Sequence, residues 1–527
     1  MERLFPMLYI ILSTLLSMSY SANILVTVGT YGSHLYVSVA VAELLVESGH
    51  NVTVLSLYDD MNIDMSSRKF LWNPVTDREG SKRELASINE LIEQLVDLPS
   101  KDMMSDVLAG TELARKRSLD FFSYGFDYFT GENFAHLMTE RNFDLVVMED
   151  TAIGAAYFLA TAGLPVLGLT CTSEIAFLRS KEGYSTLQFS EPNSLLGGEF
   201  PPSLRDRWDA TMRLFSIIKL FGSIFYEQPK FTKYNMEELD RVADVRFVMD
   251  HPAVGFPYLL PPNTFSLGFF HLKTHQLNPL PDDLNNFIAN CPYHNIVYLS
   301  FGSFFANIKS FKHTATMLEV LAASNACLIL KFAETIEDQF GFAKDQVLAK
   351  SWIPQKDLLG SGKISFFVSH CGNNGRLESI FYNVPLLCIP LFAEQVHNAA
   401  IVKRNKFGVM LLKEDLTNES FKMAVDTMLK EKEVYTQIMR EATEAVIEDP
   451  GSGEAVLKYH VNRLLKVGNA DYLRNSEIKQ QSIVEMYNLD ILMLFLVIFL
   501  SILVSVVICV FKLVKCTCRK VLKSKQE

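Results

Sequence analysis

The sequence predicts an α/β protein: two doubly wound, Rossmann-like domains facing each other, then one C-terminal transmembrane helix. Three observations carry this. The chain opens with a strand, a loop, an amphipathic helix and a second strand between Ile24 and Leu57. A new β-α series starts at Asn295, after a proline-rich break. Residues 489–511 form an apolar run whose one charge is Asp490 near its start.

The first strand is Ile24 to Val28 and gives way to a loop, Gly29 to His34. Apolar residues at Val37, Val41, Leu44 and Leu45 recur at helical spacing. Gly49 stops that helix, as glycines past helix ends commonly do. Val52 to Leu57 returns as a strand, completing the β-α-β opening of a parallel sheet. Residues 81–140 and 190–245 read as mostly helical, with Phe143–Met148 and Gly163–Gly168 as strands between them. Pro252, Pro257, Pro261, Pro262, Pro279 and Pro281 mark 250–284 as a linker without regular structure. The first domain is thus expected over 22–270 and the second over 285–466. In the second, strands are expected at Asn295–Phe301, Cys327–Phe332, Ile364–Ser369 and Leu386–Pro390, with one long helix from about 430 to 466.

Of 527 residues 49% are apolar, enough for a large core. A net charge of -11, with no long basic run before the last sixteen residues, argues against a nucleic-acid partner. Residues 1–21 read as a signal peptide: Arg3, a short apolar run Leu8–Leu16, then Ser19, Ser21 and Ala22. Residues 489–511 are long enough to cross a bilayer. Lys512, Lys515, Arg519, Lys520, Lys523 and Lys525 follow, so the tail 512–527 is expected in the cytosol and the body in the lumen. Lys523 and Lys525, fifth and third from the end, resemble the dilysine retrieval signal of endoplasmic reticulum membrane proteins. The body holds Cys171, Cys291, Cys327, Cys371 and Cys388; an odd number cannot all pair internally, and their spacing suggests a fold held by its core. Cys516 and Cys518 are palmitoylation candidates. Of two sequons, Asn51 falls on a strand and Asn418 in a polar stretch, which makes Asn418 the better placed.

The richest segment is Ser351 to Gln395. Strand Ile364–Ser369 runs into His370-Cys371-Gly372-Asn373-Asn374-Gly375 and then a helix. Such a turn presents backbone N–H groups, and the helix dipole adds about half a positive charge there. That is a phosphate site in physical terms, with His370 as a further donor. The next βα unit ends at Glu394-Gln395, again at the carboxyl end of a strand, where open α/β sheets bind ligands. A carboxylate beside an amide suits vicinal sugar hydroxyls, Glu378 suits a ribose diol, and the Trp352 indole offers a face for a flat base.

From Trp352-Ile353-Pro354-Gln355 to Glu394-Gln395 the segment resembles the signature of UDP-glycosyltransferases, the family that includes animal glucuronosyltransferases. The resemblance extends to the signal peptide, the single C-terminal span and the basic tail. It implies a GT-B-like fold and a UDP-sugar, UDP-glucuronate or UDP-glucose, as co-substrate, with no permanently bound cofactor. It also implies roles. Trp352 would stack on uracil with Gln355 near it, and Glu378 would bind ribose. His370, Gly372, Asn374 and Gly375 would hold the diphosphate, assisted by Ser303, and Glu394 and Gln395 would hold the sugar. The chain departs from the family at Glu394, usually aspartate, at Cys371, usually glycine, and at Asn383, usually glycine.

In the first domain the resemblance makes His34 the general base, as an acceptor hydroxyl must lose a proton while it attacks. An orienting carboxylate is expected at Glu149 or Asp150. No Asp-x-Asp occurs, which speaks against a metal-held diphosphate, and no Gly-x-Gly-x-x-Gly supports a dinucleotide. The expected reaction is one in-line displacement that inverts the anomeric carbon. The acceptor expected is a small lipophilic alcohol or phenol, bound by segments within 170–225, as in detoxifying conjugation. The family implies a homo- or hetero-dimer. Two alternatives stay open: transfer to a lipid or protein acceptor, and a non-catalytic binding or regulatory protein of the endoplasmic reticulum.

Overall fold

The structure is a computed structural model. It describes the chain outside residues 1–20, 30–31, 58–67, 75–124, 173–201, 209–210, 213–242, 303–310, 333–339, 474–481 and 525–527, and outside several positions in 151–161 and at 274–275, 341, 344, 392–393 and 487.

Two parallel sheets form the frame. The first holds seven strands: β1 (Asn23–Val28), β2 (Asn51–Ser56), β3 (Leu71–Pro74), β4 (Leu145–Glu149), β5 (Val166–Thr170), β6 (Val245–Val248) and β7 (Thr264–Ser266). Their order is β3-β2-β1-β4-β5-β6-β7. Helix α1 (Ser33–Glu47) connects β1 to β2, and α2 (Glu132–Arg141) precedes β4. The second holds β8 (Asn295–Ser300), β9 (Ala326–Lys331), β10 (Val347–Lys350), β11 (Phe366–Ser369), β12 (Leu386–Cys388) and β13 (Gly408–Met410), in the order β10-β9-β8-β11-β12-β13. Its helices are α3 (Asp282–Asn290) before it, α4 (Thr314–Ala322), α5 (Gln355–Gly360), α6 (Asn373–Phe381), α7 (Gln395–Arg404) and, after it, α8 (Asn418–Ile447) and α9 (Glu454–Val467). α10 (Leu489–Ser524) ends the described chain.

Strands β1, β4, β5 and β6 are buried almost throughout, as parallel strands covered on both faces must be. Apolar burial follows from this, with Val26, Val147, Leu167 and Phe247 in one cluster and Val297, Leu328 and Val368 in another. Each sheet reverses its strand order once. In the first the reversal lies between β1 and β4, and in the second between β8 and β11. Such a switch point opens a crevice at the carboxyl ends of the strands.

The linker expectation for 250–284 is corrected. Thr264–Ser266 pairs with β6 as a seventh strand, Phe270–Lys273 forms a helical turn, and α3 begins at Asp282. The prolines lie outside that short edge strand, where a missing N–H costs nothing. The single long C-terminal helix is also corrected. It is α8 and α9, broken at Asp449-Pro450-Gly451 and restarted at Gly453, whose φ is 73°. Val245, read as the end of a helical segment, opens β6. Glu149, read as following a strand, is the last residue of β4.

Two disulfides, Cys291–Cys327 and Cys371–Cys388, join residues of the second domain, while Cys171 is buried and unpaired. Cys371 and Asn383, where the family has glycine, take left-handed φ values of 59° and 58°. α10 is apolar from Leu489 to Lys515 and carries no buried side chains in its apolar window, so it is a candidate span. It runs on past Phe511 into the basic tail.

The two sheets are joined through α6. Arg376 is fully buried and donates to the Val254 carbonyl at 2.7 Å and to Asp250 Oδ1 at 3.1 Å. Asn373 Nδ2 donates to the carbonyls of Met249 at 2.8 Å and Cys171 at 3.1 Å. His251 Nε2 lies at hydrogen-bonding distance, 2.8 Å, from Asp449 Oδ2, which ties the α8–α9 break to the segment after β6. Removing one member of a buried pair leaves the other charge unmatched. Arg376→Ala is therefore expected to cost about 3–5 kcal/mol in urea unfolding of the detergent-solubilised protein. Combining Arg376→Met with Asp250→Leu is expected to cost less than Arg376→Met alone.

Candidate active site

Both switch points carry the polar residues singled out from the sequence. On the first, β1 ends at Val28 and α1 starts at Ser33, so His34 lies in the first turn of that helix. Gly32 precedes it with a φ of 67°, a turn that favours glycine. β4, the neighbour of β1, ends at Glu149. His34 Nδ1 lies 2.8 Å from Glu149 Oε1, and the Glu149 side chain is fully buried. A buried carboxylate holding Nδ1–H leaves Nε2 as the acceptor nitrogen. Burial disfavours the imidazolium, but Glu149, through its charge and hydrogen bond, with Glu394 and Asp150 adding to it, outweighs that effect. The His34 pKa is raised.

Asp150, the other carboxylate in question, turns elsewhere. It accepts from Arg246 Nη1 at 2.9 Å and from the Thr170 hydroxyl. Arg246 is almost fully buried on β6. Its sequence signal was a lone guanidinium inside the apolar strand Val245-Arg246-Phe247-Val248, which requires a partner. Cys171, directly after β5, is buried beside His34 and Glu149.

On the second crest, β11 runs into His370, Cys371 and Gly372, and α6 starts at Asn373. The first N–H groups of a helix have no acceptor within it, which makes this helix start a potential anion site. His370 sits between Gly302 and Gly372. A Cβ on either glycine would stand 2.8 Å from its Cε1 or 2.6 Å from its Nε2. Burial, and secondarily Lys331, push the His370 pKa down to about 4, so this imidazole is neutral. Gln395 opens α7 and accepts from the Leu391 N–H at 2.8 Å. Burial raises the Glu394 pKa, and the charge of His34 opposes that rise. The two crests therefore act on each other electrostatically across the cleft.

Beside the second crest, Gln355 Nε2 donates to Glu378 Oε2 at 2.6 Å and its Oε1 accepts from the Tyr298 hydroxyl at 3.0 Å. Tyr298 stacks on Phe367 with ring centroids 4.6 Å apart. Gly375 faces Gln355, since a Cβ there would lie 3.7 Å from Nε2. Trp352 is 49% exposed just before α5, and Asn374 is buried in the first turn of α6. The structure thus brings Gln355, Glu378 and Gly375 together, and His370 with Gly372. Ser303 and most of 170–225 lie outside the described residues.

Sequence reasoning missed Asn373, Arg376, Asp250, Arg246 and Tyr298. Asn373 and Arg376 stood inside the motif, but only backbone donors were read there. Their partners come from the other sheet, more than a hundred residues away.

Residues 210–527, more than half of the chain, match the family described as UDP-glucoronosyl and UDP-glucosyl transferase. The chain is 26% identical over 520 residues to UDP-glucuronosyltransferase 3A1 of Bos taurus, covering 92% of each. It is 30% identical over 237 residues to UDP-glucosyltransferase 2 of Dactylopius coccus, 44% of this chain and 43% of that relative. That alignment spans less than half of the relative's length. Medicago truncatula UGT71G1 complexed with UDP-glucose superposes with a TM-score of 0.59 at 16% identity, over 85% of this chain and 99% of that one. A UDP-glucose: anthocyanidin 3-O-glucosyltransferase in complex with UDP gives 0.57 at 15%, over 85% and 100%. At such identities the likeness is one of fold, the GT-B arrangement of two facing Rossmann-like domains. The family match adds the chemistry, sugar transfer from a UDP-sugar, and the chain belongs to the UDP-glycosyltransferase family.

Proposed function

We propose that the protein is an inverting transferase that moves a hexosyl or glucuronosyl group from a UDP-sugar to the hydroxyl of a small lipophilic acceptor. One observation carries the reading: the His34–Glu149 pair, with Nδ1 2.8 Å from Oε1, at one switch point and facing the second domain's crest. His34 Nε2 takes the acceptor proton while Glu149 holds Nδ1–H and stabilises the imidazolium as it forms. The acceptor oxygen bonds to the anomeric carbon as the bond to UDP breaks on the opposite face. The negative charge left on UDP meets the α6 N-terminus and neutral His370. Trp352 takes the uracil face, and the Gln355–Glu378 pair takes the ribose edge. Asn374, Gly375 and Ser303 serve the diphosphate, and Glu394 and Gln395 the sugar hydroxyls. The relatives' names include both glucuronosyl and glucosyl transferases, which supports either donor. Asp150 belongs to the supporting shell, held by Arg246.

The same reading places residues 1–21 as a signal peptide, 22–270 and 285–466 as the two domains, and 489–511 as the membrane span. It puts the body in the lumen of the endoplasmic reticulum and 512–527 in the cytosol, with dimers in the membrane. Asn418 is exposed at the start of α8, which supports it as a glycan site; Asn51 is exposed as well. Detoxifying conjugation is the role such an acceptor implies.

The test offers four radiolabelled UDP-sugars with a panel of phenols to the microsomal protein. His34→Ala is expected to lower turnover about 10²–10⁴-fold while UDP binding persists. Turnover untouched in His34→Ala would sink the base assignment. The active form of His34 is neutral, so kcat/KM falls as pH drops through its raised pKa. The acid limb is expected above pH 6.5, the unperturbed value. Glu149→Gln removes the charge that opposes burial, so the limb should move to lower pH, with a lower plateau. A limb that stays in place counts against the pair. For the nucleotide, Trp352→Ala should weaken UDP binding about tenfold by calorimetry and leave the acid limb unmoved.

A further inference from the structure

The residue beside the catalytic pair that the proposed reaction does not use is Cys171. It follows β5 at Thr170, is 4% exposed, and has no disulfide partner. Its Sγ, a His34 ring nitrogen and a Glu149 carboxylate oxygen all lie within 4.8 Å of one another, and Nδ1 is the His34 nitrogen that faces Glu149. Among the described residues this is the one grouping of three such ligand atoms. Thiolate, imidazole and carboxylate are the donors that bind Zn²⁺, at about 2.0–2.3 Å each. Ligand atoms on one tetrahedral ion then stand roughly 3.3–3.8 Å apart, so small side-chain rotations close the set. Of the three, His34 is the side chain open to the cleft, at 21% exposure.

We propose that His34, Glu149 and Cys171 form an inhibitory site for a thiophilic divalent metal ion, Zn²⁺ by donor chemistry, that switches the base off. The proposal rests on the reading of His34 as base. In the resting pair Nδ1 carries the proton, given to Glu149, and Nε2 carries the lone pair. A metal on Nδ1 takes that nitrogen's lone pair, so the ring proton moves to Nε2. Nε2–H cannot accept the proton of an acceptor hydroxyl, and turnover stops. The thiol of Cys171 loses its proton to solvent as it ligates, so one proton leaves per metal bound. No oxidation is involved, and chelation reverses the block. Cys171 has no role in the proposed transfer, and its carbonyl accepts from Asn373, a bond that a side-chain substitution leaves in place.

The test uses detergent-solubilised full-length protein titrated with Co²⁺ alone, without sugar or acceptor. A thiolate-to-cobalt charge-transfer band in the near ultraviolet is expected, saturating at one ion per chain. It should vanish in both Cys171→Ala and His34→Ala. In parallel, Zn²⁺ should inhibit turnover of the wild type, with a half-inhibitory concentration at least about tenfold higher in Cys171→Ala. UDP binding verifies that this variant is folded, and Cys171→Ser replaces it if it is not. A band that persists in the Cys171 variant, the absence of any band in wild type, or equal Zn²⁺ inhibition of both proteins overturns the proposal. If no donor is turned over at all, the functional reading fails, and the cobalt titration still decides the metal site by itself.

Discussion

Everything in this protein depends on two switch points being held face to face. A single parallel sheet offers one crevice, at the carboxyl ends of the strands where its order reverses. Here one reversal, between β1 and β4, presents a histidine and a carboxylate; the other, between β8 and β11, presents a helix N-terminus and a half-buried neutral histidine. Neither alone performs a transfer. Asn373 and Arg376, one turn apart on α6, bind the backbone and Asp250 beyond β6, so the helix that opens from the second crest also grips the opposite sheet. The crest and the registration of the two domains are thus built into the same turn of helix.

The two histidines show how environment divides their labour. Both are partly withdrawn from water, which alone pushes an imidazole toward neutrality. His34 has Glu149 at hydrogen-bonding distance and Glu394 across the cleft, and its pKa rises. His370 lies between two glycines with Lys331 as its electrostatic neighbour, and its pKa falls to about 4. The first is thereby favoured to take up a proton, and the second stays neutral. Asp150 would compete for His34 were it free, but Arg246 and Thr170 hold it.

Much of the fold was legible because parallel strands buried on both faces are continuous apolar runs, as at Ile24–Val28 and Phe366–Ser369. Glycine and asparagine turns after those runs marked the crests. Gln355 and Glu378 were each singled out from the motif, for the base and the ribose, but the hydrogen bond between them was not. Short edge strands were illegible: β7 spans three residues after two prolines, and its pairing with β6 is a tertiary fact. The choice between Glu149 and Asp150 was likewise beyond the sequence. Adjacent residues at a strand end point to opposite faces, and which face held His34 depended on β1 lying beside β4. Interdomain partners such as Asp250 and Arg376 lie 126 residues apart, with no local pattern to join them.

The most direct test of the central claim is the tautomer of His34. Imidazole nitrogens of ¹⁵N-histidine-labelled protein in membranes, recorded at a pH above the acid limb of kcat/KM where the His34 ring is neutral, report which nitrogen is protonated. His34→Ala identifies the resonances. Nδ1–H with a bare Nε2, shifted when Glu149 becomes glutamine, is the result predicted by a Glu149-held base facing the donor crest. A proton on Nε2, or shifts indifferent to Glu149→Gln, would contradict it.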